Sequence, residues 1–183
     1  MLQSDHKNMQ RSLGKSKVKD MDRIAIFTTG GTIDKIYFDA KSEYEVGEPN
    51  IGQVLSELNL SIDYTITSLM KKDSLDLDDE DRNIIANAVS DSSASQILIT
   101  HGTDTMVETA SCLSKSTDKT IVLTGALQPA LFKTSDAMFN IGCALGAVQS
   151  LPAGIYIAMN GKIFTADNVR KNRKENRFEE IRL

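Results

Sequence analysis

Short apolar runs alternate along this chain with stretches of helical period, and glycine punctuates the joins. Ile24-Ala25-Ile26-Phe27 reads as a buried strand feeding the turn Thr28-Thr29-Gly30-Gly31. Ile33 to Gly47 is mixed polar and aromatic, a loop or hairpin. Ile51, Val54, Leu55 and Leu58 recur at helical spacing with Asn50 placed to cap them. Tyr64 to Leu69 alternates like a strand. Asp78 to Val89 is helical, its acidic first turn suited to the helix dipole. Gln96–Thr100 and Thr120–Thr124 are further strands, separated by a helix from about Asp104 to Ser114. A helix over Asp136 to Gln149 carries the small residues Gly142, Ala144, Gly146 and Ala147, and Ala153 to Ala158 is the last strand. From Asn160 the chain reads as polar and irregular.

Strands alternating with helices predict right-handed crossovers and a mostly parallel sheet with helices on both faces. The fold class is therefore α/β, a three-layer α/β/α Rossmann-like (flavodoxin-like) single domain over residues 23–171. Residues 1–22 are expected to be a polar, disordered tail and 172–183 a charged one. Three strands end in glycine-bearing turns, and such sheets bind ligands beyond the carboxyl ends of their strands. Chemistry is therefore sought at Thr29–Thr32, His101–Thr105 and Gly125–Pro129.

Composition narrows the function. The 183 residues carry 21 Lys and Arg against 25 Asp and Glu, a formal net charge of −4, which argues against a nucleic-acid partner. No apolar run approaches the ~18 residues of a membrane-spanning helix. The polar first segment has no hydrophobic core of a secretory signal, and with sparse cysteine this points to the cytoplasm. Cys112 and Cys143 lie in apolar stretches without metal or disulfide spacing and read as core thiols. Two histidines, His6 and His101, are too few and too isolated for a metal site.

Two motifs carry candidate chemistry. Thr29-Gly30-Gly31-Thr32-Ile33 is neither a Walker loop nor GxGxxG. Its glycines permit a sharp turn, and Thr32 either satisfies its own backbone or presents a hydroxyl able to attack a carbonyl. In His101-Gly102-Thr103-Asp104-Thr105, Thr103 either caps the next helix or serves as a second nucleophile or proton relay. Asp104 there could hold an ammonium. His101 reads as a satisfied strand-end residue.

Together, in this order and separation, the two motifs closely resemble the bacterial-type L-asparaginase family. Tyr44 in Ser42-Glu43-Tyr44-Glu45-Val46-Gly47, Asp73-Ser74, Gly125-Ala126 before Pro129, Ser135-Asp136 with Asn140, and Asn168-Val169-Arg170-Lys171 also fit. The resemblance implies that Thr32 is the first nucleophile, with Tyr44, on a loop that closes over the site, helping to take its proton. It implies a second set of Thr103, Lys171 and Asp104, in which Lys171 eases formation of a Thr103 alkoxide and Asp104 orients Lys171 or binds the substrate amine. Ser74 would bind the substrate carboxylate, and backbone N–H groups near Gly31 and Thr103 the oxyanion. The implied reaction is hydrolysis of a side-chain amide to a carboxylate and ammonia through a threonine acyl-enzyme, with no metal or cofactor. A small amide such as asparagine is the expected partner.

The chain departs from that family in three places. It stops soon after Lys171, where relatives continue into a second domain, and relatives complete their site with an acidic residue from a neighbouring subunit. Glu175, Glu179 or Glu180 could take that part. Leu75 and Gln128 stand where relatives carry a polar residue and an arginine. A homo-oligomer, most simply a dimer, is expected, the small residues of the Asp136–Gln149 helix either lining its interface or packing on the sheet. Two rival functions are a non-catalytic amino-acid-binding or regulatory protein and an ammonia-releasing component of an amidotransferase assembly.

Overall fold

Every residue of the first strand, β1 (Ile24–Gly30), is buried, as a continuous apolar run covered on both faces must be. The computed structural model describes residues 23–38, 43–113 and 118–181. A 3₁₀ turn, Thr32–Asp34, leads from β1 into a hairpin of β2 (Lys35–Phe38) and β3 (Glu43–Val46). Then follow α1 (Asn50–Ser56), β4 (Tyr64–Lys72), a 3₁₀ turn (Ser74–Asp76), α2 (Asp79–Asp91), β5 (Gln96–Thr100), α3 (Met106–Cys112) and β6 (Thr120–Thr124). The remainder is α4 (Ala137–Ser150), β7 (Gly154–Met159), β8 (Lys162–Thr165), β9 (Arg170–Asn172) and β10 (Arg177–Glu179).

The main sheet runs β4-β1-β5-β6-β7-β8, with only β8 antiparallel to its neighbour. Phe27, Ile97, Ile99 and Leu123 pack on one face with Ile85 and Val89 of α2 and Met106 and Ala110 of α3. Ile26, Leu98 and Val122 meet Ile51 and Leu55 of α1 and Ile141, Ala144 and Val148 of α4 on the other. Each such side chain fully buried is worth about 1.5–3 kcal/mol. The chain leaves β1 to one side for β4 and returns on the other side as β5. That reversal opens a crevice at the carboxyl ends of β1 and β5.

Several local expectations are corrected. Pro49 precedes α1, and Asn50 is its first residue rather than its cap. Asn50 is spent instead on the preceding turn, its N–H on Asp34 and its Nδ2 on the Ile33 carbonyl. The helix after β5 starts only at Met106, because the Thr103 hydroxyl is engaged by Lys171 and that of Thr105 by the Ser74 carbonyl; Ser114 lies outside the described residues. Cys112 is exposed and Cys143 half-buried, since Met106, Thr109 and Ala110 form the inward face of α3. The stretch past Asn160 contains β8 and the β9–β10 hairpin, pinned by buried Phe178, whose N–H donates to Asn160 Oδ1. The composition of that stretch hid a single apolar anchor among charges. Residues 1–22 lie outside the described residues. On α4, Ala144 and Ala147 pack inward while Gly142 and Gly146 face open space.

Candidate active site

The crevice exists because backbone approaches backbone where no side chain fits. Gly31, at φ 87°, would bring a Cβ within 2.4 Å of Gly102 Cα. A Cβ on Gly102 would in turn lie 2.5 Å from Ser74 Oγ. Gly30, at φ 94°, would press a Cβ to 2.7 Å from the Lys72 backbone. Glycine alone meets both the positive φ and the contact. The turns after β1, β4 and β5 thus touch, and Thr32 and Thr103 each follow a touching glycine by one residue.

Thr32 is half-buried at the start of its 3₁₀ turn. The turn is anchored by Ile33, fully buried, whose carbonyl accepts from the Ala130 N–H at 3.1 Å. Thr103 is 5% exposed, and its Oγ1 accepts from Lys171 Nζ at 2.7 Å. Lys171 Nζ also lies 2.8 Å from Asp104 Oδ1. Lys171 reaches the crevice from β9, so the hairpin past Val169 delivers the cation. Because the Thr103 oxygen receives the Lys171 proton, its own hydroxyl proton is free to point elsewhere.

Ser74 is buried, and its Oγ has no hydrogen-bond partner among the described residues. An unpaired buried hydroxyl is costly, by about 1–3 kcal/mol, unless a ligand or water supplies the partner. Asp73 beside it accepts from the Leu75 N–H and pairs with Lys35 at 2.7 Å. Leu75 is mostly exposed. The Gly31 N–H, expected to face an oxyanion, instead donates to the Lys72 carbonyl at 2.9 Å, because the irregular β1–β4 ladder extends that far.

Tyr44 sits on β3 opposite Tyr37, half exposed, edge-on to the Tyr37 ring at 5.4 Å and to Phe132 at 5.9 Å. The hairpin that carries it springs directly from the Thr32 turn. Glu179 binds Arg170 and Asn172, and Glu180 pairs with Lys162. Both are engaged within their own chain rather than held out toward the crevice.

Sequence reasoning left three supporting features without a role: His101, the Asp136–Asn140 pair and Asp34. His101 is fully buried: Nδ1 lies 2.7 Å from the Gly102 carbonyl and must donate, so Nε2 accepts from Thr109 Oγ1 at 2.9 Å. Burial pushes its pKa down to about 4, with the Arg82 charge adding to the effect and the Gly102 bond opposing it. The neutral ring braces the turn that bears Thr103. Asp136 gathers the N–H groups of Leu127 and Gln128, while Asn140 Nδ2 bonds both Asp136 and the Gly125 carbonyl. The Ser135-Asp136…Asn140 motif therefore shapes the Gly125–Pro129 loop. The third, Asp34, is buried two residues from Thr32. Among the described residues, no group of three or more His, Cys, Asp or Glu is placed to hold a metal ion.

Residues 23–180 match the family model described as Asparaginase, N-terminal. A probable periplasmic L-asparaginase of Haemophilus influenzae is 32% identical over 163 residues, 83% of this chain and 47% of the relative. One component of the glutamyl-tRNA(Gln) amidotransferase of Methanosarcina barkeri is 30% identical over 172 residues, 86% of this chain and 38% of the relative. The solved structure of the thermostable L-asparaginase from Thermococcus kodakarensis superposes with a TM-score of 0.76 at 29% identity, covering 88% of this chain and 52% of the other. The chain spans about half or less of the length of these relatives.

Proposed function

The chain belongs to the asparaginase family, matching its N-terminal domain, and on that premise we propose that it hydrolyses the side-chain amide of L-asparagine or a related primary amide to a carboxylate and ammonia. The observation that carries this reading is the Lys171 ammonium held between Thr103 Oγ1 at 2.7 Å and Asp104 at 2.8 Å, beside the glycine contact that leads to Thr32.

In this reading Thr32 Oγ attacks the amide carbon while its proton passes to a nearby base, with Tyr44 assisting. A threonine hydroxyl is a weak nucleophile until such a partner takes the proton. Ammonia leaves with the proton it gains, and water then hydrolyses the threonine ester. Thr103, its oxygen polarised by Lys171 and Lys171 oriented by Asp104, activates the second attack. Ser74, buried and with its Oγ unpartnered among the described residues, binds the substrate carboxylate; Asp104 faces the amine. Thr103 and its neighbours supply N–H groups for the oxyanion. The reading includes a homo-oligomer, most simply a dimer, whose second copy keeps water off this sheet edge, and a cytoplasmic location. Among the described residues no helix is long and apolar enough to cross a membrane.

The test is ammonia release from asparagine, glutamine and simple primary amides, run beside Thr32→Ala, with mass spectrometry of quenched turnover to catch the threonine ester. Light scattering across concentration reads the oligomer. The similarity to a component of an amidotransferase favours a second reading, in which the chain releases ammonia within a larger assembly. It predicts turnover only when a second polypeptide is present. Ligand binding without turnover under either condition would support a regulatory amino-acid-binding protein.

A further inference from the structure

Asp34 closes the base of the hairpin that carries Tyr44. Its carbonyl accepts from the Gly47 N–H at 2.8 Å, and its Oδ1 accepts from the Asn50 N–H at 2.8 Å. Asn50 Nδ2 returns to the Ile33 carbonyl at 3.3 Å. The strands between these points pair from Lys35↔Val46 onward. The root is tight: a Cβ on Gly47 would sit 3.2 Å from Ile36, and one on Gly30 2.9 Å from Val46. One side chain thus joins the residues entering the hairpin to those leaving it, two positions from Thr32.

That side chain is in an unusual state. Asp34 is 1% exposed, and its Oδ2 is buried with no hydrogen-bond partner among the described residues. Ionised, such a carboxylate would hold a buried charge with one oxygen unsatisfied. Around the root, Lys35 pairs with Asp73, Lys71 with Glu48, and Lys72 with Asp81. Glu45 lies on β3 of the same hairpin. Burial raises Asp34 to about 7, opposed only by the Asn50 N–H. Exposure to water would return it to the ordinary carboxylate range, so by linkage ionisation favours an opened root and protonation a closed one.

We propose that Asp34 is a positioning residue that acts as a proton-operated latch: neutral and buried, it holds the root of the Tyr44 hairpin shut beside Thr32, and ionised it lets the root open to water. The latch needs nothing from the proposed reaction. Its effect on catalysis rests on the amidohydrolase reading, because an opened root moves Tyr44 relative to Thr32.

The experiment compares the wild type with Asp34→Asn, which keeps the acceptor oxygen and abolishes the charge. Amide exchange at Gly47 and Asn50 is followed by NMR across the pH range. The ratio of wild-type to variant exchange rates is expected to be lowest below about pH 4, to rise by up to about tenfold per pH unit as pH climbs toward 7, and to level off above that. In parallel, kcat for an amide substrate falls as pH rises through the same window in the wild type and stays flat in the variant. A ratio that is flat with pH, or an inflection that persists in Asp34→Asn, overturns the latch. If the variant does not fold, carboxyl-carbon NMR of the wild type decides: titration near neutrality together with loss of Gly47 and Asn50 protection supports the latch, and titration in the ordinary carboxylate range overturns it. A pH-dependent root in a protein that releases no ammonia would leave the latch standing and remove the amidohydrolase reading.

Discussion

Lys171 Nζ lies 2.7 Å from Thr103 Oγ1, although 68 residues separate them in sequence. The pair joins the turn after β5 to the short β9–β10 hairpin, and Asp104 holds the cation from the side. Lys171 is largely withdrawn from solvent, its side chain 9% exposed. The lysine is therefore built in rather than waving from the surface.

Replacing Lys171 by Met should accordingly do more than remove a surface charge. It leaves Thr103 without its donor and Asp104 without its partner. In the proposed reaction kcat should fall by at least about a hundredfold, in line with loss of a group that assists proton transfer. Thermal unfolding should change modestly, because Asp104 retains partial access to water. A Lys171→Met variant with wild-type kcat would take Lys171 out of the chemistry.

Thr32→Ala should abolish turnover while the unfolding midpoint stays within a few degrees. Loss of an essential nucleophile costs on the order of 10⁶ in hydrolases whose groups act as a unit. The fold should tolerate it because buried Ile33 and its carbonyl bonds, rather than the Thr32 side chain, anchor the turn. Steady-state ammonia release and circular dichroism, measured together, check both halves.

Asp104→Asn separates substrate binding from structure. If Asp104 faces a substrate ammonium, the variant should raise KM for asparagine by about tenfold or more, as loss of a charge-assisted bond does, and leave KM for a simple primary amide little changed. Equal changes for both substrates would confine Asp104 to orienting Lys171.

The layers of the sheet were legible because β1, β5 and β6 are short continuous apolar runs and α2 announces itself with Asp78 and its acidic first turn, here a capping box with Asp81. The crevice was legible because only glycine can stand where Gly31 meets Gly102. Three things were not. The β9–β10 hairpin buries one apolar side chain, Phe178, and one apolar residue among charges has no period to read. The start of α3 depended on which groups would claim the hydroxyls of Thr103 and Thr105, and those partners, Lys171 and Ser74, are remote in sequence. The burial of Asp34 was invisible because an aspartate after Ile33, followed by Lys35, reads as a solvated charge until α1 packs over it.

Two buried groups beside the site titrate in opposite senses, and this gives a prediction about stability. His101 is lowered to about 4 from 6.5. The unfolded chain binds its proton first, so the contribution of His101 is full above about pH 6.5 and is lost as pH falls toward 4. The shift corresponds to roughly 3 kcal/mol. Asp34 is raised from 3.8 to about 7. The folded chain binds its proton more tightly, so its contribution is full below about pH 4 and is lost as pH rises to 7, by roughly 4 kcal/mol. Between pH 4 and 6.5 the two slopes offset one another. Asp34→Asn should therefore gain stability relative to the wild type as pH rises through this window. His101→Asn, whose side-chain N–H can still donate to the Gly102 carbonyl, should lose it relative to the wild type over the same window. Taking differences against the wild type cancels Asp73, Asp81 and Glu179, whose carboxyls are all held low. Urea unfolding at half-unit pH steps measures both differences. Parallel curves for the wild type and Asp34→Asn would mean that Asp34 titrates as an ordinary solvated carboxylate. Parallel curves for the wild type and His101→Asn would mean that His101 gains its proton as readily in the folded chain as in the unfolded one.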